Sequence, residues 1–421
     1  MASLPVHLPT LQNWSCHNCG GCCRQHAITI TPEEKSRIEG QNWTPADGIP
    51  ASQPLFVEEG SWLQGQQIRL SHQADGACVF LNEQGLCRIH AKFGESAKPL
   101  ACRIYPYAFH PLEKQLTVSL RFSCPSVAAN RGKSLTSQKQ DLRQLAQLVV
   151  PESYHGAPPP LLKPQTRLNW EDTVHIVESL DRTLSDAETP VAVKLTRALF
   201  WLELIAQSKF TKIQGERLEE LLELLLDASQ VEVPDLKVIP PAPTRMGMTQ
   251  FRLLTGLYAR KDTASSIDTS LQGRWRQLKH AIRLARGTGM LPALHTGLLE
   301  IPFSALDQVR CELTAASEEM LTRYFRVKIQ GMHFCGAAYY HVPVIEGFQA
   351  LTLTYPVVRW ISRWLAASAS RISVTHEDIL TALTIVDHQH AYNPALGQWP
   401  ARRRVRNFVA NGDLQKLIAR I

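Results

Sequence analysis

The sequence predicts an α+β protein: a small, irregular, metal-stapled cysteine domain with short strands over residues 1–133, then a mostly α-helical domain over 134–421. Three observations carry this reading. Eight of the ten cysteines fall in the first 124 residues. Short β-like runs in that region alternate with turn residues. From about Ser134 onward, helical patterns are separated by proline-rich joints, notably at 157–164 and 234–243.

Taken in order, the first element is the octet Cys16-His17-Asn18-Cys19-Gly20-Gly21-Cys22-Cys23. Its first three cysteines stand at a two-residue spacing, which lets one turning backbone aim successive sulfurs at one centre. Gly20 and Gly21 permit the positive φ such a turn demands. Ala27-Ile28-Thr29-Ile30 reads as a strand running into Thr31-Pro32-Glu33-Glu34, a capping box with proline at the first helical position, so a helix is expected from Pro32 to about Glu39. Val79-Phe80-Leu81 and Leu86-Cys87-Arg88-Ile89 flank Asn82-Glu83-Gln84-Gly85, a hairpin signal that would set Cys78 and Cys87 at opposite ends of one hairpin. Leu116, Val118, Leu120 and Phe122 alternate with Thr117, Ser119 and Arg121, as in a half-buried strand that delivers Cys124.

In the second part, Val193, Leu195, Leu199, Leu202 and Ile205 make one apolar helical face, and Leu218, Leu221, Leu222, Leu225 and Leu226 another. Both read as core. Thr375 can cap a further helix ahead of Asp378, with Ile379, Leu380, Leu383 and Val386 on one face. Cys311 and Cys335 stand far apart in apolar or helical surroundings and read as ordinary buried thiols.

Composition narrows the function. With 44% hydrophobic residues the chain can bury real cores. No uninterrupted apolar stretch approaches the roughly 18 residues that span a bilayer, and residues 1–14 lack a basic segment followed by an apolar run. The expected location is therefore the cytoplasm, with no membrane partner. In that reducing compartment a cysteine cluster points to metal or redox chemistry rather than to disulfides. The net charge of +7 is modest, so nucleic acid is not an expected partner. Arg274, Arg276, Lys279, Arg283 and Arg286, and Arg402, Arg403, Arg404 and Arg406, read as solvated helix faces, though an acidic protein would fit them.

The candidate metal ligands are Cys16, Cys19, Cys22, Cys23, Cys78, Cys87, Cys102 and Cys124. A run of cysteines at two-residue intervals with a remote partner favours a [4Fe–4S] cluster, and Cys124-Pro125 agrees; zinc stays open because the further cysteines could complete tetrahedral sites. Adjacent Cys22 and Cys23 diverge unless the backbone bends, so one of them need not ligate the same ion. Arg24, Arg88 and Arg103 directly follow cysteines, with Lys92 and Lys98 nearby, where cations would favour thiolates. His17, His26, His72, His90 and His110 read as surface residues or as supports for the ligands.

Together, Cys16-x-x-Cys19-x-x-Cys22-Cys23-Arg24, Ile28-Thr29-Ile30-Thr31-Pro32-Glu33-Glu34, Cys78-x-Phe80-Leu81, Gly85-x-Cys87-x-Ile89-His90 and Lys98-Pro99-x-x-Cys102-Arg103-x-Tyr105-Pro106 resemble the cysteine-cluster family described as zinc- or iron-chelating, which includes the flagellin lysine-N-methylases. The resemblance covers roughly residues 14–125. It implies a bound metal centre and, for the methylase branch, transfer of a methyl group from S-adenosylmethionine to lysines of a flagellin-like protein, with an iron-sulfur cluster involved. The residues alone assign no catalytic or S-adenosylmethionine-binding side chain. Cys19 and Cys23 have the first gap of the radical S-adenosylmethionine pattern, but Gln25 and His26 stand where a third cysteine would follow, and Gly287-Thr288-Gly289 does not follow a strand. The competing class is a non-catalytic metal or redox sensor, or a metal-stapled interaction module.

Overall fold

The computed structural model describes the chain except residues 1–4, 62–64, 151–153, 155, 211–212, 236–240, 261–269 and 421. Its N-terminal strands are Val6–His7 (β1), Thr29–Ile30 (β2), Phe56–Ser61 (β3), Gly65–Leu70 (β4), Tyr107–Pro111 (β5) and Leu116–Leu120 (β6). They form two sheets, ordered β1-β6-β5 and β2-β4-β3. Between them lie short helices Gly21–Gln25 (α1), Pro32–Glu39 (α2), Arg88–Phe93 (α3), Leu100–Ile104 (α4) and Pro125–Ala128 (α5). The chain is thus α+β, as its sequence predicts.

Helix α2 has the expected bounds and cap: Glu34 N–H donates to Thr31 Oγ1 at 3.2 Å while Thr31 N–H donates to Glu34 Oε2 at 3.1 Å. The expected hairpin is only half right. Its turn forms, with Gly85 at φ +77° and its N–H donating to Asn82 O. The second arm does not: Leu81 and Cys87 make an isolated bridge, after which the chain enters α3 with Cys87 at its N-cap. Arg88 explains the change, because its side chain is held by the carbonyls of Asp47 and Leu81 and turns the backbone inward.

The remaining helices are Lys139–Val149 (α6), Trp170–Thr183 (α7), Val191–Gln207 (α8), Glu216–Glu232 (α9), Arg245–Ala259 (α10), Leu271–Arg286 (α11), Phe303–Asp307 (α12), Ala315–Gln330 (α13), Val344–Ser368 (α14), His376–Gln389 (α15), Pro394–Gly397 (α16), Trp399–Ala410 (α17) and Asp413–Arg420 (α18). None of the described helices is long and apolar enough to cross a membrane. Val193, Leu195, Leu199, Leu202 and Ile205 of α8 are buried, as are Leu218, Leu222 and Leu226 of α9. Thr375 caps α15 by accepting from Asp378 N–H. Part of the joint at 234–243 lies outside the described residues.

Two cores result. A small one gathers Ile30, Ile38, Ile49, Leu70, Val79, Phe80 and Ile89 around α2, β4 and α3. A large one runs from β5 and β6 through the helices. The strand expected to be half-buried is buried at every position of β6, because α13 covers its second face. Thr117 Oγ1 donates to Gly331 O at 3.2 Å, just past α13, which locks this contact in register.

Candidate metal centre

Cys22, Cys23, Cys78, Cys87 and Cys102, with the more exposed Cys16, line one cavity of about 510 Å³. They reach it from α1, from the loop before the Asn82 turn, from the N-cap of α3 and from α4. Gly20, at φ +64°, supplies the turn into α1, whereas Gly21 already belongs to that helix. Cys78 N–H donates to Cys23 O at 2.7 Å, tying the second segment to the first.

Cys22 and Cys23 do not diverge. Their sulfurs lie 3.9 Å apart, close to the edge of about 3.8 Å expected for two thiolates each about 2.3 Å from one tetrahedral ion. Hydrogen bonding within this pair draws the Cys22 thiol down to about 7 and holds Cys23 well up. Burial pushes Cys78 up to about 12 and raises Cys102 as well, and the other sulfurs add to both. Crowded thiols that resist ionisation through burial and mutual repulsion are what a cation placed among them would reverse. The donor set therefore fits a metal. Among the described residues no three ligating side chains are drawn tightly around one point, so the sulfurs line the cavity rather than close it.

Cys19 and Cys124 stand apart from these five. Cys124 is buried in the large core beside Trp14, and the sulfur acting on it is that of Cys19. Cys311 and Cys335 are buried far from the cavity, as ordinary thiols.

Of the cations near cysteines in sequence, Lys98 is the one that faces this cavity among those named above, and its charge favours the Cys22 thiolate. Arg24 pairs with Asp75, Arg88 serves backbone carbonyls and Lys92 pairs with Asp47 at 2.6 Å. Beyond His26, residue type and spacing do not single out the polar ground at and behind the cavity as part of the site. There Arg121, His26 and Tyr105 line the same cavity. Behind them Lys328 and Asp387, both fully buried, pair at 2.7 Å, Asp387 Oδ2 accepts from Ser123 N–H at 2.9 Å, and Lys328 also donates to Leu120 O and His333 Nδ1. The run Asp387-His388-x-His390 at the end of an apolar helix was the one available signal.

Residues 15–125 match the family described as CxxCxxCC, a "putative zinc- or iron-chelating domain". The likeness to that class of cysteine domain is thus confined to the N-terminal part of the chain. Among curated proteins, the chain is similar to a lysine-N-methylase of Salmonella typhimurium, 22% identical over 137 residues, which is 32% of this chain and 33% of that protein. The same extent relates it to a lysine-N-methylase of Salmonella choleraesuis. A flagellar biosynthetic protein FliU of Salmonella muenchen is 25% identical over 108 residues, 26% of this chain and 63% of that one. The match spans about a third of the length of the two methylases. No solved structure matches.

Proposed function

We propose that the protein holds an iron-sulfur cluster in the cysteine cavity and transfers methyl groups from S-adenosylmethionine to lysine side chains of a protein substrate. The observation that carries the metal part is the convergence of five cysteines from separate segments on one cavity. A cubane takes one protein thiolate per iron, so its ligands would be Cys78, Cys87, Cys102 and one of the Cys22–Cys23 pair. A bound cluster supplies electron-transfer and Lewis-acid chemistry at that end of the cavity.

The methyl-transfer part is supported by the likeness to lysine-N-methylases and by the size of the cavity, which exceeds what a single ion would fill. In the transfer, the lone pair of a neutral lysine amine forms the new N–C bond. The S–C bond breaks with its pair returning to sulfur, and the alkylated ammonium then loses a proton to water. The chain's part is to hold donor and amine in line and to exclude competing water.

A second reading has its own support. The small core around α2 and α3 is too slight to hold that unit alone, so a metal that only staples the fold would suffice. The test is anaerobic purification followed by iron, sulfide and zinc analysis and by mass spectrometry of a lysine-bearing protein after incubation with S-adenosylmethionine. Iron with matching sulfide, and 14 Da increments (about one methylene each) on the substrate, are expected. Stoichiometric zinc without iron would overturn the cluster, and absence of methylation by iron-loaded protein would favour the staple.

A further inference from the structure

The cavity also carries a second, chemically different group of side chains beside the sulfur ligands. Arg121, just beyond β6, lines it beside His26 and Tyr105. Its guanidinium lies 3.5 Å from the centroid of the Tyr392 ring and 5.6 Å from that of Tyr105. Arg121 Nε is buried without a partner. Among the described residues no carboxylate pairs with Arg121 and no protein acceptor takes its terminal N–H groups. The carboxylate on that side, Asp387, is already held by Lys328 and by Ser123 N–H. Two cations therefore share one acid there. His26, 8% exposed, stacks on His388 and lies tilted against Tyr105, and its Nε2 is buried with no partner. Lys98 is a separate matter, since its charge acts on Cys22 and Cys102.

A half-buried guanidinium whose nearby acid is already taken by Lys328 lacks a full counter-ion, and such a group is retained where an anion completes it. We propose that this group of side chains forms a carboxylate-binding subsite. Arg121 presents its planar fork, and His26 a second donor when Nε2 carries the proton, to the carboxylate of an amino-acid-like small molecule seated between them and the cysteines. The fork matches a carboxylate bidentately, and stacking on Tyr392 fixes its plane. The proposal deepens the methyl-transfer reading and rests on it, because the methionine portion of S-adenosylmethionine bears such a carboxylate.

The test is calorimetric titration of anaerobically purified holoprotein with S-adenosylmethionine and with its decarboxylated analogue. Wild type, Arg121→Gln and Arg121→Lys are compared, with metal content and thermal unfolding confirming that each is folded. Wild type is expected to prefer the carboxylated ligand by about tenfold or more, Arg121→Gln to bind both alike, and Arg121→Lys to fall between. Equal affinities in wild type, or a preference that survives in Arg121→Gln, overturns the subsite and leaves the methyl-donor reading standing. If neither ligand binds wild type, the methyl-donor reading fails and malonate decides the subsite. Protection of Arg121 from phenylglyoxal by malonate, read by peptide mass spectrometry on unaltered protein, supports it, and labelling unchanged by malonate overturns it. That measurement also decides the matter if the variants do not fold.

Discussion

Lys328 and Asp387 show how much one residue pair can hold. Each is completely buried; Asp387 is held by Lys328 and by Ser123 N–H, and Lys328 by Asp387, by Leu120 O and by the His333 ring. Removing one partner leaves a charge in the interior. Lys328→Met is expected to cost about 3–5 kcal/mol, and Lys328→Met combined with Asp387→Asn distinctly less, read as shifts in the urea unfolding midpoint. Equal losses in the single and double variants would refute this account of the pair. At the cavity itself, Cys78→Ser, Cys87→Ser and Cys102→Ser are each expected to lose bound metal and to loosen the small core, whereas Cys311→Ser keeps its metal. Metal analysis and limited proteolysis read both effects; full metal in all three cavity variants would sink the ligand set.

Between elements, one contact that joins the cysteine-bearing part to the helices is the seat of α13 on β6. A Cβ at Gly331 would lie 2.5 Å from Ser119 Cβ and 2.9 Å from its Cα. The strand backbone would have to move, so Gly331→Ala is expected to cost about 1–3 kcal/mol by overpacking. Because β6 leads directly to Arg121, the same variant should also perturb the cavity wall. Unfolding measurements within about 0.5 kcal/mol of wild type would contradict so tight a seat. Elsewhere the basic segments are used differently from one another. In α11, Arg274, Arg276 and Lys279 are exposed along with Leu271, Trp275, Leu278 and Ile282, whereas Arg402 of α17 is paired with Glu346 of α14 at 2.7 Å. One is a solvated face and the other partly a structural clamp.

For the whole molecule, the buried histidines set a dependence on acid. His333 and His390, exposed by 1% and 0%, are held well below 6.5 by burial, with Lys328 opposing their protonation further. The folded protein keeps both neutral where the unfolded chain binds a proton at each. The stability tied to them is therefore complete above about pH 6.5 and is lost as pH falls below it. The slope approaches about 1.4 kcal/mol per pH unit for each histidine. Urea midpoints between pH 7.5 and 5 should fall accordingly, and His390→Gln should make the decline shallower by about one proton. Parallel profiles for the two proteins would rule out His390 as a source.

The local signals in the sequence were strong wherever the physics is local. The Thr31 and Thr375 caps formed because a hydroxyl three residues ahead of a carboxylate needs no distant partner. The apolar faces of α8 and α9 were set by helical periodicity, and the cysteine octet stood out by its two-residue spacing. The hairpin arm after Leu86 could not be read, since Arg88 turns it toward carbonyls of residues 47 and 81 that are remote in the chain or across the turn. The burial of β6 depended on α13, about two hundred residues later. The grouping of Cys22, Cys23, Cys78, Cys87 and Cys102 apart from Cys19 and Cys124, and the presence of Arg121 and His26 in the same cavity, are likewise tertiary facts. Candidate ligands are legible in residue type and interval, whereas a cavity is made by segments whose approach only the closed core decides.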